Sequence, residues 1–402
     1  MSQSRKSVPK RRFMEFNNAV AWEQRKLEDI LDVRSGRDYK HLDSGDIPVY
    51  GTGGYMLSVG EALSYEEDAI GIGRKGTIDK PYILKAPFWT VDTLFYTVPK
   101  RDSDLNFIHS IFQKINWKSK DESTGVPSLS KTTINAVSVF TPSCSEQKEI
   151  GTFFNKLDDT IALHQRKLEK IKALKTAYLS EMFPAEGETK PKRRFAGFTD
   201  DWEQRKFEDC FKFPVSTNSL SRVMLNYDKG EVKNVHYGDV LIKYPCILNI
   251  KKEEIPYITG GCLKTYNSNL LENGDLIFAD AAEDETVGKA VEVNGITNEN
   301  LVSGLHTIVA RATTQKAKYF LGYYINSDIY HRQLLRLMQG SKVSAISKGN
   351  LQKTDVSFPK DIEEQQKIGS YFKQLDDTIT LHQRKLKKLQ SIKKAYLNEM
   401  FI

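Results

Sequence analysis

The chain has 402 residues, enough for two domains of ordinary size, each with its own hydrophobic core. Its 59 Lys and Arg outnumber its 52 Asp and Glu, which favours an acidic partner such as DNA without establishing one. The basic opening segment is followed by no apolar core, and no run of 18 apolar residues occurs. We therefore expect a soluble, cytoplasmic protein and exclude a membrane-spanning one.

A basic segment, residues 1–21, precedes a first globular unit that we expect at 22–145. The unit opens on the letters WEQRKLED and contains several short β-rich runs bounded by turn residues. We predict an α+β domain with strands at 68–72, 93–98 and 136–140 and a helix at 104–117.

A glycine-rich motif lies inside this unit. Gly71, Gly73 and Gly76 fit the dinucleotide-binding spacing, but β-branched residues and Pro81 follow, where such a fold needs the start of a helix. We predict a DNA-contacting turn instead, in which Arg74 can bind guanine with two hydrogen bonds. Further DNA-binding candidates around this turn are Arg37, Lys40, Lys75 and Thr77.

Two loops of similar composition occur late in each globular unit, at 123–131 and 339–348. Small hydroxyl residues mixed with Gly and Lys suit close approach to phosphates and base edges, although ordinary surface loops have a similar composition. The candidates here are Thr124, Ser128 and Lys131 in the first loop, Ser341, Lys342, Ser344 and Lys348 in the second, and Lys264 elsewhere in the second unit.

Residues 146–183 have the pattern of one long helix. Apolar positions recur at alternating steps of four and three, which is the heptad pattern of a coiled-coil seam. Pro184 ends this helix, and a short basic linker, residues 184–201, follows. The predicted seam residues are Ile150, Phe154, Leu157, Ile161, His164, Leu168 and Ile171.

A second globular unit is expected at 202–363, beginning with the related letters WEQRKFED. Its elements follow the same order as those of the first unit, although the sequences between the repeats differ. We predict strands at 275–279, 306–311 and 355–358 and one helix at 318–338.

Residues 364–402 repeat the long helix, and most positions are identical to those of the first copy. Each seam is the natural partner of the other. The second helix must run back along the first after the second globular unit, so we expect the pair to be antiparallel. The alternative is that each helix packs only on its own domain. The predicted fold is therefore α+β, with two globular domains joined by two long helices in an antiparallel coiled coil with a pseudo-twofold internal repeat. The second seam comprises Ile368, Phe372, Leu375, Ile379, His382, Leu386 and Leu389.

Polar residues are repeated beside both seams. A repeated solvated face suggests one partner that docks twice about a pseudo-twofold axis, although a charged face that has not yet diverged would look the same. The residues assigned to this partner interface are Asp158, Asp159, Gln165 and Arg166 in the first helix and Asp376, Asp377, Gln383 and Arg384 in the second.

No catalytic motif is present. The sequence lacks a Walker A motif, an HExxH motif and a nucleophile elbow, so we expect no chemistry from this chain. Its four cysteines are widely spaced, with no histidine at a metal-ligand spacing. We expect buried, reduced thiols, no metal and no bound cofactor.

Three segments carry a family resemblance: the paired letters LDDTIALHQRKL and LDDTITLHQRKL, and the run GDLIFADAAEDETVGKAVEV. With these segments, the whole chain resembles the specificity (S) subunits of type I restriction-modification enzymes. The resemblance implies a non-catalytic subunit whose target recognition domains each read one half of a bipartite, asymmetric site on double-stranded DNA. It also implies two modification subunits that use S-adenosylmethionine and restriction subunits that use ATP and Mg. The alternative is a scaffold whose helices assemble partner proteins without reading DNA. A form with one inactive recognition domain is also compatible with the sequence.

Overall fold

The computed structural model describes residues 7–338 and 344–402. The chain divides into two compact units, Met1–Lys167 with His382–Ile402, and Leu168–Leu381. The boundary between the units falls within both long helices. In the described ranges, no helix is both long and apolar enough to cross a membrane.

The first unit is built from short strands and three short helices, followed by the start of a long helix. Its strands form sheets ordered β2-β8-β5-β6, β4-β3-β7 and β1-β9. The strands are β1 (Glu23–Lys26), β2 (Leu31–Ser35), β3 (Ser44–Gly51), β4 (Gly54–Val59), β5 (Ala69–Gly73), β6 (Tyr82–Leu84), β7 (Trp89–Thr90), β8 (Leu94–Pro99) and β9 (Ser138–Thr141). The helices are α1 (Leu27–Ile30), α2 (Leu105–Lys114), α3 (Lys131–Asn135) and α4 (Cys144–Glu181), of which α4 continues into the second unit.

The second unit has a larger set of sheets, ordered β11-β20-β16-β18-β14, β12-β15-β13-β19, β10-β22 and β17-β21. Its strands are β10 (Glu203–Lys206), β11 (Phe211–Lys212), β12 (Leu225–Asn226), β13 (Lys233–Val235), β14 (Ile247–Asn249), β15 (Tyr257–Ile258), β16 (Leu276–Ala279), β17 (Ala281–Ala282), β18 (Ala290–Asn294), β19 (Leu301–Ser303), β20 (Thr307–Ala312), β21 (Ser344–Ala345) and β22 (Asp355–Phe358). Its helices are α5 (Phe207–Cys210), α6 (Tyr237–Ile242), α7 (Leu263–Tyr266), α8 (Phe320–Ile325), α9 (Asp328–Leu337), α10 (Lys348–Gln352) and part of α11 (Ile362–Met400).

The prediction of a single helix at 318–338 is wrong, because α8 and α9 are separate helices. Ser327 accepts a hydrogen bond on its Oγ from the backbone N–H of Tyr330 and so caps the start of α9. Asn326 donates from Nδ2 to the backbone oxygen of Ala290, 2.8 Å away on β18. Because of these local and tertiary hydrogen bonds, the segment forms two helices, although its apolar residues favour a helix along its whole length.

A repeated glutamine attaches each long helix to its own domain. Gln147 accepts a hydrogen bond on Oε1 from the backbone N–H of Asp104 at 3.1 Å. Gln365 does the same for the backbone N–H of Ala317 at 3.2 Å. The identity of the two helix copies at this position is therefore explained by equivalent docking contacts.

A repeated glycine allows each domain to approach its helix closely. A Cβ at Gly151 would lie 2.3 Å from Oδ1 of Asp104, and one at Gly369 would lie 2.6 Å from the backbone oxygen of Lys318. Any side chain at these positions would push the helix away from the domain.

The basic entry segments are also tied to the helices. Arg12 makes two 2.6 Å hydrogen bonds to the carboxylate of Glu146, and Arg194 binds Glu364 equivalently at 2.6 and 2.8 Å. Both carboxylates are only 1% exposed. The hydrogen bond and negative charge of Glu146 raise the pKa of Arg12 further above its ordinary value. These arginines therefore serve the fold.

The two long helices pair in opposite directions within the first unit. The rings of Phe153 and Tyr396 lie 5.2 Å apart, and Asp158 forms an ion pair with Lys393. Further along α4, Nδ1 of His164 lies 3.2 Å from Nδ1 of His382. Rising numbers on α4 meet falling numbers on α11, so the pair is antiparallel.

The same relation holds within the second unit. Lys175 forms a 2.5 Å ion pair with Asp376, and the rings of Tyr178 and Tyr371 stack at 5.7 Å. The predicted α+β fold with an antiparallel helix pair is confirmed, and packing of each helix only on its own domain is excluded. Among the predicted seam residues, the buried ones are Ile150, Phe154, Leu168, Ile368, Phe372 and Leu386, and the half-buried ones are Leu157, Ile161, His164, Ile171, Leu375, Ile379, His382 and Leu389.

Candidate nucleic-acid interface

The turn after β5 and the loop at 123–131 form one surface in the first unit. The backbone N–H of Leu129 donates to the oxygen of Arg74 at 2.9 Å. The backbone N–H of Gly76 donates to the oxygen of Pro127 at 2.8 Å. Two segments that are distant in sequence therefore hold each other in place.

The loop is ordered by its own side chains. Asp121 accepts hydrogen bonds on Oδ1 from the backbone N–H groups of Ser123 and Ser128, each at 2.9 Å. The N–H groups of Ser128 and Ser123 hold the pKa of Asp121 below its ordinary value. Ser130 caps α3 by accepting from the N–H of Thr133 at 3.1 Å. A preorganised loop loses less conformational entropy when it binds.

Two cations lie against one aromatic ring on this surface. The guanidinium carbon of Arg74 is 5.8 Å from the ring centre of Phe95, and Nζ of Lys131 is 6.0 Å from it. Arg74 also donates to the backbone oxygen of Asp92 at 3.4 Å. Within residues 7–338 and 344–402, neither cation has a carboxylate at ion-pair distance, so both charges are free to meet phosphate or a base edge.

The structure brings several of the predicted DNA-binding residues together and separates others. We call the clustered set the first candidate surface; it lines a cavity of 820 Å³ and comprises Arg74, Lys75, Thr124, Ser128 and Lys131. Thr77 lies beyond Lys75 in the same turn. Arg37 and Lys40 are exposed in the connection between β2 and β3. DNA contact by all of these residues stays a prediction.

The second unit repeats part of this arrangement. Strand β21, which includes Ser344, pairs with β17, and Ser347 caps α10 just before Lys348. Nζ of Lys348 lies 5.5 Å from the ring centre of Phe213. Lys264 is exposed on α7, beside a different sheet. Two further candidates, Ser341 and Lys342, lie outside the described residues.

The aromatic rings under these lysines cannot be recognised as part of the site from sequence. Phe95 lies within β8 and Phe213 directly follows β11, where an aromatic residue normally indicates core packing. The signal that was available is the repeated Ser-Lys pair, Ser130-Lys131 and Ser347-Lys348, which begins a short helix in both units.

The residues assigned to a partner interface have mixed surroundings. Asp158 and Asp376 are in ion pairs across the helix pair, and Asp377 is paired with Lys373 at 2.6 Å. Helix pairing alone thus accounts for the first two carboxylates. The partner role of the whole set stays a prediction: Asp159, Arg166, Gln383 and Arg384 are exposed, and Gln165 is half-buried.

The cysteines only partly match the expectation of buried thiols. All four are free, and burial raises the pKa of Cys246 to about 12. Cys210 is buried, and Cys144 and Cys246 are half-buried. Cys262 is exposed, because it lies in the turn between β15 and α7. In the described part of the chain, no group of three or more His, Cys, Asp or Glu is arranged to hold a metal ion.

Comparison with known proteins identifies the family. A family model described as the type I restriction modification DNA specificity domain matches residues 19–173 and 199–391. The chain belongs to the specificity subunits of type I restriction-modification systems. One such domain covers most of each duplicated half, as the internal repeat requires.

Individual relatives agree with this assignment. The type I restriction enzyme MjaVIII specificity subunit of Methanocaldococcus jannaschii is 20% identical over 306 residues, covering 73% of this chain and 68% of the relative. The crystal structure of a type I restriction-modification S subunit from M. genitalium has a TM-score of 0.62 at 13% identity, covering 98% of this chain and 99% of the other. The latter similarity shows a shared fold.

Family membership decides between the classes of function considered from sequence. Specificity subunits supply DNA sequence recognition and are non-catalytic. The resemblance noted in the sequence is therefore confirmed, and the scaffold that does not read DNA is set aside.

Proposed function

We propose that this specificity subunit reads a bipartite, asymmetric site on double-stranded DNA, with one half-site per globular domain. The observation that carries the proposal is the contrast between the two units. Both dock their helix through the same contacts, at Gln147 and Gln365 and at Gly151 and Gly369. Their sheets differ in strand number and order. Equivalent attachment with unlike reading surfaces supports recognition of two unlike sequences.

The long helices are the element that sets the unread spacer between the half-sites in this proposal. Helix α4 has 38 residues and α11 has 39, and each passes from one unit into the other without a break. A helix advances about 1.5 Å per residue, whereas duplex DNA advances about 3.4 Å per base pair. In this proposal, a change in helix length changes the number of base pairs between the half-sites.

The same proposal assigns the chemistry to partner subunits. Two modification subunits would supply S-adenosylmethionine-dependent methylation, and restriction subunits would use ATP and Mg. The support is that apolar side chains are exposed beside polar ones at equivalent positions of the two helices. Leu163 is 48% exposed in the first helix, and Leu381 is 50% exposed in the second. Exposed leucines next to Arg166 and Arg384 are suited to two copies of one partner.

The test is genome-wide mapping of methylated bases in cells that express this chain with the modification subunit of its system. We expect one motif made of two short blocks separated by a fixed number of unread positions. If the modification subunit is active and the mapping shows no bipartite motif, the proposal fails.

A length variant tests the role of the helices. One heptad is inserted after Leu168 in α4 and one after Ile379 in α11, which preserves the seam repeat. The added length of about 10 Å should lengthen the unread spacer by about three base pairs. The matched control inserts seven residues after Gly187 in the linker and should leave the spacer unchanged. An unchanged spacer in an active helix variant would contradict the assignment.

A further inference from the structure

One backbone arrangement holds Asp280 and His306 beside the candidate loop of the second unit. Asp280 follows β16 and His306 precedes β20, and the N–H of Asp280 donates to the oxygen of His306 at 3.0 Å. The N–H of Ile346, next to β21, donates to the oxygen of Asp280 at 2.9 Å. Asp280 is therefore joined through its backbone to the loop that includes Ser344.

The same arrangement occurs in the first unit around Arg74. The N–H of Arg74 donates to the oxygen of Thr93 at 2.9 Å, and the N–H of Leu129 donates to the oxygen of Arg74 at 2.9 Å. The next pairs also correspond, since Lys75 bridges to Ser128 as Ala281 pairs with Ala345 in the second unit. By these hydrogen bonds, Asp280 occupies the position of Arg74, and His306 that of Thr93.

The side chains of Asp280 and His306 form a pair. Nδ1 of His306 lies 3.2 Å from Oδ1 of Asp280, and the ring of Tyr237 meets the imidazole edge-on at 5.2 Å. The His306 side chain is 50% exposed and that of Asp280 is 27% exposed. Across the described residues, Nε2 of His306 has no hydrogen-bond partner, so it is available to a ligand.

The backbone of His306 is left-handed, with a φ of 55°. Glycine adopts this conformation at the lowest cost, and among other residues Asn, Asp and His adopt it most often. This turn positions the imidazole of His306 beside the carboxylate of Asp280.

We propose that the Asp280–His306 pair is the base-reading element of the second recognition domain, placed where Arg74 lies in the first. The inference rests on the proposed function and specifies its chemistry. The carboxylate of Asp280 accepts hydrogen bonds, and Nε2 of His306 accepts one in the tautomer that donates Nδ1–H to Asp280. The group that fits is an exocyclic amino group in the major groove, either cytosine N4 or adenine N6. Arg74 offers only donors, which suit guanine, so the two half-sites require different bases.

The test uses the same methylation mapping with His306→Ala and Asp280→Asn. We expect each variant to weaken, about tenfold or more, the preference for one amino-bearing base in one half of the motif, while the other half is unchanged. Arg74→Ala should relax the other half. The mapped base, cytosine or adenine, identifies the amino group. The second variant retains side-chain volume, so loss of preference cannot be ascribed to an empty site.

His331→Asn is the matched control, because it removes another imidazole of the same unit, whose Nε2 lies 2.9 Å from the backbone oxygen of Glu285. It should leave the motif unchanged. The inference is overturned if His306→Ala and Asp280→Asn keep the wild-type motif, or if His331→Asn relaxes the same position. By contrast, a wild-type protein without any bipartite motif would overturn the proposed function itself.

Discussion

Nδ1 of His164 lies 3.2 Å from Nδ1 of His382, at equivalent positions of the two helix copies. A hydrogen bond between two ring nitrogens needs one donor and one acceptor, so at least one of the two rings must be neutral. Burial lowers the pKa of His382, and the charges of His164, Lys385 and Lys167 lower it further. The contact is therefore weakened by acid.

We expect the free energy of unfolding to fall as the pH falls below about 6.5, the pKa of histidine in an unfolded chain. The folded-state pKa of His382 lies below that value, so the unfolded state binds protons first and the stabilisation, complete at higher pH, is lost on acidification. Burial lowers the pKa of His109 and His236 as well, which adds to the effect with the same sign. Urea unfolding of the full chain at several pH values from 5 to 8 measures this dependence.

Replacing both seam histidines, as His164→Leu with His382→Leu, should make the unfolding free energy less dependent on pH in this range. The control is His41→Asn, which changes an exposed histidine and should preserve the wild-type dependence. An equal pH dependence in the double-leucine variant and the wild type would show that the histidine pair does not contribute.

Arg12→Ala should destabilise the protein by about 3 to 5 kcal/mol, because it leaves the buried carboxylate of Glu146 without its cation. Arg12→Lys should recover part of the loss, since lysine keeps the charge but not the two-bond geometry. The control Arg25→Ala breaks an exposed ion pair with Glu23 and should cost less than about 1 kcal/mol. Chemical denaturation measures all three, and similar losses for Arg12→Ala and Arg25→Ala would contradict the assignment.

Gly151→Ala and Gly369→Ala should each cost about 1 to 3 kcal/mol, because the new methyl group would overlap atoms of the adjoining domain. Alanine otherwise favours helix formation, so a loss of stability isolates the packing effect. Gly53→Ala is the control, since in the described part of the chain a Cβ there has no atom within 4 Å apart from those of its chain neighbours. The unfolding midpoints of the variants and the wild type measure these losses. A Gly151→Ala protein more stable than the wild type would refute the close contact.

Lys131→Ala and Lys348→Ala should weaken DNA binding at all sequences alike if these lysines contact phosphates. Each lost phosphate contact should reduce the slope of log K against log salt concentration by about 0.9. Arg74→Ala should instead reduce the discrimination between bases, as a base-edge contact requires. Fluorescence titrations at several salt concentrations separate the two behaviours. The control Lys26→Ala alters a lysine already paired with Glu28 and should leave the slope unchanged.

Sequence alone determined the duplicated plan, the paired helices and the family. A heptad seam is a local periodicity that can be read from sequence. Because the seam occurs twice in one chain, each helix is predicted to pair with the other. The antiparallel direction then follows from chain connectivity. The loop candidates Thr124, Ser128 and Lys131 were likewise recognised from composition, and they line one cavity.

Only the tertiary structure decided which of the repeated residues serve the fold and which remain available for DNA. Arg12 and Arg194 are basic in sequence, but buried carboxylates more than a hundred positions away neutralise them. The correspondence of Asp280 with Arg74 is visible only in backbone hydrogen bonds, because the two residue types share no chemistry. Such relations depend on distances between segments that are remote along the chain, and local propensity does not encode those distances.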